Sequence, residues 1–289
     1  MKGVYTAVIT PFDKAGNVDF KSLEKILETQ VEGGVSGIVA AGTTGEAATL
    51  TLDEKIELFS FVKEKCPGLD IVAGTGSNNT VDSVKQTEAA LKTGINKVLI
   101  VTPYYNKPTA NGLVRHYGEI GKTGAEMILY NVPGRTGLNV APEALAKLAA
   151  IDNIVAVKEA TGDLGRFADY LDAVGSERFF FLSGDDFTIA PFISMGGTGV
   201  ISVVSNVLPE LTVALVNAAL SGDFKKAADI QISMNRLNHA MFMESNPGPV
   251  KTALSLMGLC EDNFRSPLDK MEEKNINKLS EILKDYRLI

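Results

Sequence analysis

The stretch Ile154-Val155-Ala156-Val157-Lys158-Glu159-Ala160-Thr161 reads as one buried strand with a charge at its end. Four apolar, mostly β-branched residues favour a pleated backbone covered on both faces, and a barrel or sheet interior rejects an ammonium that has no task there. An apolar pocket favours the neutral amine over the ammonium, so Lys158 is a candidate nucleophile that forms a Schiff base with a carbonyl. A lysine at a strand end also snorkels to solvent or pairs with a carboxylate such as Glu159. This stretch alone leaves both readings open.

Outward from it the chain repeats one unit. Short apolar runs at Gly3–Ile9, Gly37–Ala41, Asp70–Ala73, Lys97–Val101, Met127–Tyr130, Ile154–Val157, Phe179–Leu182 and Gly199–Val203 alternate with amphipathic stretches. Spacings of roughly 20–30 residues match βα units, and eight units close a (β/α)8 TIM barrel. Asp19, Thr80 and Asp163 are expected helix N-caps, Pro142 and Pro209 suit first turns, and Gly33, Gly94, Gly121, Gly175 and Gly222 suit helix ends. After Gly222 the pattern becomes helix only, at Asp223–Met243, Pro249–Met257 and Lys270–Leu283. The expected organisation is therefore a barrel over residues 1–221 and a C-terminal three-helix extension over 222–289, with no linker between them.

An open doubly wound sheet would carry a GxGxxG turn after its first strand, whereas this first strand runs into Thr10-Pro11-Phe12. The segment Gly74-Thr75-Gly76-Ser77-Asn78 lacks the third glycine and no GxxxxGK[ST] occurs, so nucleotide binding is not expected. A net charge of −7 with interspersed signs argues against nucleic acid and anionic membrane as partners. Cys66 and Cys260 have neither metal-ligand nor CxxC spacing, and the first residues lack a signal-peptide core; a soluble cytoplasmic protein is expected.

In a barrel the residues just after each strand gather on one face. There the sequence places Gly42-Thr43-Thr44-Gly45-Glu46, suited to holding a carboxylate or to making a polar turn. It also places Thr102-Pro103-Tyr104-Tyr105-Asn106 and Tyr130-Asn131-Val132-Pro133-Gly134-Arg135, whose tyrosines could relay protons or pack, and whose arginine could bind a second carboxylate or form a surface ion pair. Ser183-Gly184-Asp185-Asp186 adds two acids that could cap the next helix. His116 and His239 are the only histidines and both fall in expected helices, which leaves neither a histidine metal site nor a Ser–His–Asp triad.

These motifs, together with Lys158-Glu159-Ala160-Thr161-Gly162, resemble the signature set of the pyruvate-dependent class I aldolase superfamily, which includes the N-acetylneuraminate lyases. Within it the chain most resembles the dihydrodipicolinate synthase family, over essentially its whole length. The resemblance implies that Lys158 forms an imine with pyruvate, that Thr43 and Thr44 hold the pyruvate carboxylate, and that Tyr130 carries protons with Thr43 and Tyr105. It implies that Arg135 binds the carboxylate of L-aspartate 4-semialdehyde and that the Ile201 backbone and Gly184 line the pocket. No external cofactor or metal is implied. A homo-oligomer, dimer or tetramer, is implied in which Tyr105 crosses to a neighbouring subunit.

Two other readings stand beside this one: an aldolase of the same superfamily acting on N-acetylneuraminate or a 2-keto-3-deoxy sugar acid, and a barrel that binds a metabolite without chemistry. Arg135 favours a short substrate ending in a carboxylate over a hydroxylated chain. Some members are inhibited by lysine at a subunit interface, at positions matching Ala47, Ala48, Leu52, Lys55, Asn78, Asp82 and Tyr104 here. Ala47, Leu52 and Lys55 depart from the sensitive pattern, so weak or absent lysine inhibition is expected.

Overall fold

The computed structural model describes residues 1–289. Its strands are β1 (Gly3–Ala7), β2 (Gly37–Ala40), β3 (Asp70–Gly74), β4 (Lys97–Val101), β5 (Glu126–Asn131), β6 (Ile154–Glu159), β7 (Phe180–Ser183) and β8 (Gly199–Ser202). All pair in parallel and in sequential order, and β8 closes on β1 in the register Gly3↔Gly199 to Thr6↔Ser202. Each expected apolar run supplies one strand of a closed eight-stranded barrel.

The helices around it are α1 (Phe20–Glu32), α2 (Leu52–Lys65), α3 (Thr80–Lys92), α4 (Ala110–Gly121), α5 (Pro133–Thr136), α6 (Pro142–Ala149), α7 (Leu164–Val174), α8 (Ile189–Ser194) and α9 (Pro209–Leu220). Asp19 and Asp163 cap α1 and α7 by accepting from Ser22 N and Arg166 N. The cap of α3 is Asn79 rather than Thr80, because the Asn79 carboxamide already takes the Val81 N–H. Thr80 is freed to hydrogen-bond His116 Nδ1 at 2.9 Å. Thr51 and Glu54 form a reciprocal capping box on α2.

Beyond α9 lie α10 (Phe224–Ser233), α11 (Asn235–Met241), α12 (Gly248–Leu256) and α13 (Glu273–Asp285). The extension was expected as three helices; its first, Asp223–Met243, is broken at Met234, giving four segments. Met234 is buried at the break, with Ala227 and Leu237 buried on either side of it. A bend that serves packing on a curved barrel leaves no mark in a 3.6-residue period.

Inward-pointing side chains fill the barrel with a cluster that includes Tyr5, Val39, Val72, Leu99, Ile128, Ala156, Leu182 and Ile201, one or more from every strand. Outward-pointing residues join the helices in a second, larger cluster of 62 buried residues, to which the extension contributes Val250, Leu254, Leu279 and Leu283. No helix is long and apolar enough to cross a membrane.

Candidate active site

Lys158 belongs to β6 itself, since the strand runs on to Glu159. Its backbone pairs with Tyr130 on one side and Leu182 on the other, so the charge leaves the ladder intact. The direction of its side chain depends on an irregularity. The β5–β6 register steps from Met127↔Ile154 to Ile128↔Ala156, leaving Val155 as an extra residue. Strict alternation from the outward-packed Ile154 would aim Lys158 outward. The bulge reverses the phase, so Ala156 packs inside, Val157 outside, and Lys158 returns to the interior.

There Lys158 is buried, with 6% of its surface exposed, and its Nζ lies 4.2 Å from the centroid of the Tyr130 ring. It forms no ion pair. Glu159, the carboxylate that could have claimed it, points to the other face and accepts from Asn131 Nδ2 at 2.8 Å and Thr161 N at 2.7 Å. Gly184 sits against the lysine stem: a Cβ there would come 3.0 Å from Lys158 Cε and 2.6 Å from Ala160 Cβ. Ile201, on β8, belongs to the inner cluster with Tyr130 and Val132.

A cavity of about 530 Å³ opens at the C-terminal ends of the strands, lined by Thr43, Glu46, Lys55, Tyr104, Tyr130, Val132, Arg135 and Asn246 among others. The Gly42–Glu46 turn folds back on itself through Gly45 N to Gly42 O (3.1 Å) and Glu46 N to Thr43 O (3.1 Å). Only glycine fits at Gly74 beneath it, where a Cβ would meet Ala41 O at 2.0 Å. Thr44 is buried and its hydroxyl accepts from Asn246 Nδ2 at 2.9 Å. Arg135, exposed at the mouth, donates from Nη2 to Asn246 O at 3.1 Å. Asn246 thus touches both expected carboxylate-binding elements.

The remaining expected residues sit elsewhere. Tyr105 is 90% exposed, in left-handed backbone (φ 68), and does not line the cavity of its own chain, whereas Tyr104 does. Its loop is pinned by Asn106 Nδ2 to Asn78 O at 2.9 Å. Asp185 accepts from the Thr188 hydroxyl at 2.9 Å. Asp186 is fully buried and accepts from Val203 N at 2.9 Å and Val204 N at 3.2 Å, tying β7 to the turn after β8; burial raises the pKa of both acids. His116 and His239 lie in α4 and α11, and burial pulls His116 down to about 4. No group of three His, Cys, Asp or Glu side chains is placed to hold a metal ion.

Asn246 and Lys251 were not anticipated. The second had a signal, a lone charge within the apolar helix Val250-Lys251-Thr252-Ala253-Leu254, the same mark that singled out Lys158.

The closed parallel sheet makes the chain a (β/α)8 barrel, with Lys158 buried, free of ion pairs and packed on Tyr130 of the cavity wall. It belongs to the dihydrodipicolinate synthetase family, whose model matches residues 1–286. The 4-hydroxy-tetrahydrodipicolinate synthase of Geobacter metallireducens is 46% identical over 290 residues, covering 100% of this chain and 99% of that protein. The crystal structure of dihydrodipicolinate synthase from Aquifex aeolicus superposes with a TM-score of 0.97 at 40% identity, covering 100% of this chain and 99% of that one. The enzyme from Acinetobacter baumannii, solved in complex with pyruvate, gives the same TM-score, identity and coverage.

Proposed function

We propose that this protein is a 4-hydroxy-tetrahydrodipicolinate synthase, condensing pyruvate with L-aspartate 4-semialdehyde on the route to diaminopimelate and lysine. One observation carries the reading beyond family membership: Lys158 is buried without a carboxylate partner, directly against Tyr130, which lines one cavity with Thr43 and Arg135. A lysine kept from ion pairing in an apolar site is suited to nucleophilic attack.

In the proposed sequence the Lys158 amine adds to the ketone carbon of pyruvate and water leaves, giving a protonated imine. The imine withdraws electrons from the methyl group, which loses a proton to become an enamine. The enamine carbon attacks the aldehyde of the semialdehyde, whose oxygen takes a proton through Tyr130, Thr43 and a partner subunit's copy of Tyr105. The semialdehyde's own amine then displaces the lysine nitrogen, closing the ring and freeing the enzyme. Thr43 and Thr44 hold the pyruvate carboxylate, Arg135 holds that of the semialdehyde, and Gly184 and Ile201 wall the pocket. The condensation is redox-neutral and the protonated imine serves as its electron sink, so no cofactor is needed.

Residues 1–221 carry this chemistry and residues 222–289 close the mouth through Asn246. The assembly is a homo-oligomer, consistent with Tyr105 being exposed in the single chain. The cytoplasm is the compartment, in keeping with two unpaired cysteines, Cys66 and Cys260.

The test is borohydride reduction with pyruvate, followed by peptide mass analysis and turnover with semialdehyde, N-acetylneuraminate and 2-keto-3-deoxy sugar acids in turn. Mass should be added at Lys158, and only the semialdehyde should turn over at speed. Arg135→Ala should impair use of the semialdehyde by roughly 1.5–3 kcal/mol while leaving imine formation near normal. Label on another lysine, or preference for a sugar acid, would refute the assignment.

A further inference from the structure

The turn that carries Thr43 and Thr44 is held from behind by a charge at the far end of the chain. Glu46 ends this turn in left-handed backbone (φ 53), a conformation that a glutamate keeps only when its surroundings hold it. One of its carboxylate oxygens takes the Lys251 ammonium from α12, and the other accepts from Arg265 N at 3.3 Å. Both side chains of the pair are wholly buried. Lys251 donates also to Asn263 O at 3.1 Å and lies 4.3 Å from the Phe12 ring and 4.9 Å from that of Phe264. Glu46 is its only ion-pair partner.

A buried ion pair is a weak device for stability, because desolvation of both charges offsets their attraction. What it supplies here is geometry and neutrality. Glu46 lines the same cavity as Thr43. An uncompensated carboxylate buried behind that wall would repel an incoming carboxylate in a poorly screened site.

We propose that Lys251 is a positioning residue for the keto-acid carboxylate: by fixing and neutralising Glu46 it holds the Thr43–Thr44 turn in the shape that receives an anion. The proposal rests on the reading of that turn given above. The C-terminal extension is thereby part of the substrate site through a residue that touches no substrate.

The experiment titrates pyruvate against borohydride inactivation of the full-length enzyme and, separately, semialdehyde against turnover at saturating pyruvate. The double variant Glu46→Gln/Lys251→Met removes both charges at similar volume and should remain folded by thermal unfolding. Its half-saturating pyruvate should rise about tenfold, the loss of one well-placed contact to a charged group, while the KM for semialdehyde stays within about twofold. Lys251→Met alone, which leaves Glu46 charged, should raise it further. A folded double variant that titrates pyruvate like the parent overturns the proposal. If the double variant does not fold, Glu46→Gln, which keeps the shape of the glutamate, is read by the same titration and decides. If neither folds, the pair is a requirement of the fold and the positioning role is overturned. Thr43→Val separates the two levels. If it leaves the pyruvate titration unchanged, the carboxylate reading fails and this inference with it; if it shifts the titration and the charge variants do not, only the role of Lys251 falls.

Discussion

Lys158 and Tyr130 are direct neighbours across the β5–β6 ladder, and the lysine nitrogen lies 4.2 Å from the centre of the tyrosine ring. Two adjacent strands thus present an amine and a phenol to the same small volume. Tyr130→Phe keeps the ring against which Lys158 packs and removes the proton-carrying group. Turnover should fall by about 10²–10⁴-fold, the usual worth of a general acid or base, with the thermal midpoint little changed. A loss of less than tenfold would take Tyr130 out of the proton path.

Tyr105 is exposed and stands away from the cavity of its own chain. If it serves a neighbour, Lys158→Ala and Tyr105→Phe subunits, each nearly inactive alone, should regain activity when mixed, since some sites then combine an intact lysine with an intact tyrosine. Mixing with verified subunit exchange and no recovery would show that Tyr105 does not act across an interface.

Lys55 is buried on α2, donates to Gln86 Oε1 at 2.7 Å and lines the cavity beside Ala47, Ala48 and Tyr104. Burial pulls its ammonium down to about 8, so it stays charged at neutral pH. Bringing a second ammonium within 4 Å costs about 1 kcal/mol even in water and several times more when partly desolvated. Lysine should therefore inhibit weakly, if at all, in a titration at subsaturating pyruvate. Saturable inhibition at submillimolar lysine would contradict this.

The Arg265 guanidinium, hydrogen-bonded to Glu54, holds that carboxyl down to about 2. Because the folded value lies below the unfolded one, the stabilisation is fully present above roughly pH 4.3 and is lost as pH falls from there through the folded value. Both side chains are partly exposed, which limits the contribution to about 1 kcal/mol. Glu54→Gln should lower the thermal midpoint at pH 7, and the gap to the parent should narrow by pH 3, because the carboxyl takes up a proton in the unfolded chain while the folded chain still holds it ionised. A gap independent of pH would show that the charge contributes nothing.

The sequence alone determined the barrel and marked the residues proposed for the site. Eight apolar runs at βα spacing are a local property, set by backbone preference and burial of each segment, and closure follows from their number. Glycine-flanked hydroxyls, paired tyrosines and a lysine in an apolar run are likewise legible residue by residue, and the fold brings Thr43, Tyr130 and Arg135 to one cavity.

Only the tertiary structure decided which way Lys158 points, what it faces and what holds the loop beside it. The phase of β6 is reversed by a bulge at Val155 whose register is set by β5, a strand more than twenty residues away. The Asn246–Thr44 and Lys251–Glu46 contacts join positions 202 and 205 residues apart. Such pairings depend on how distant elements close on one another, and no window of sequence contains both partners.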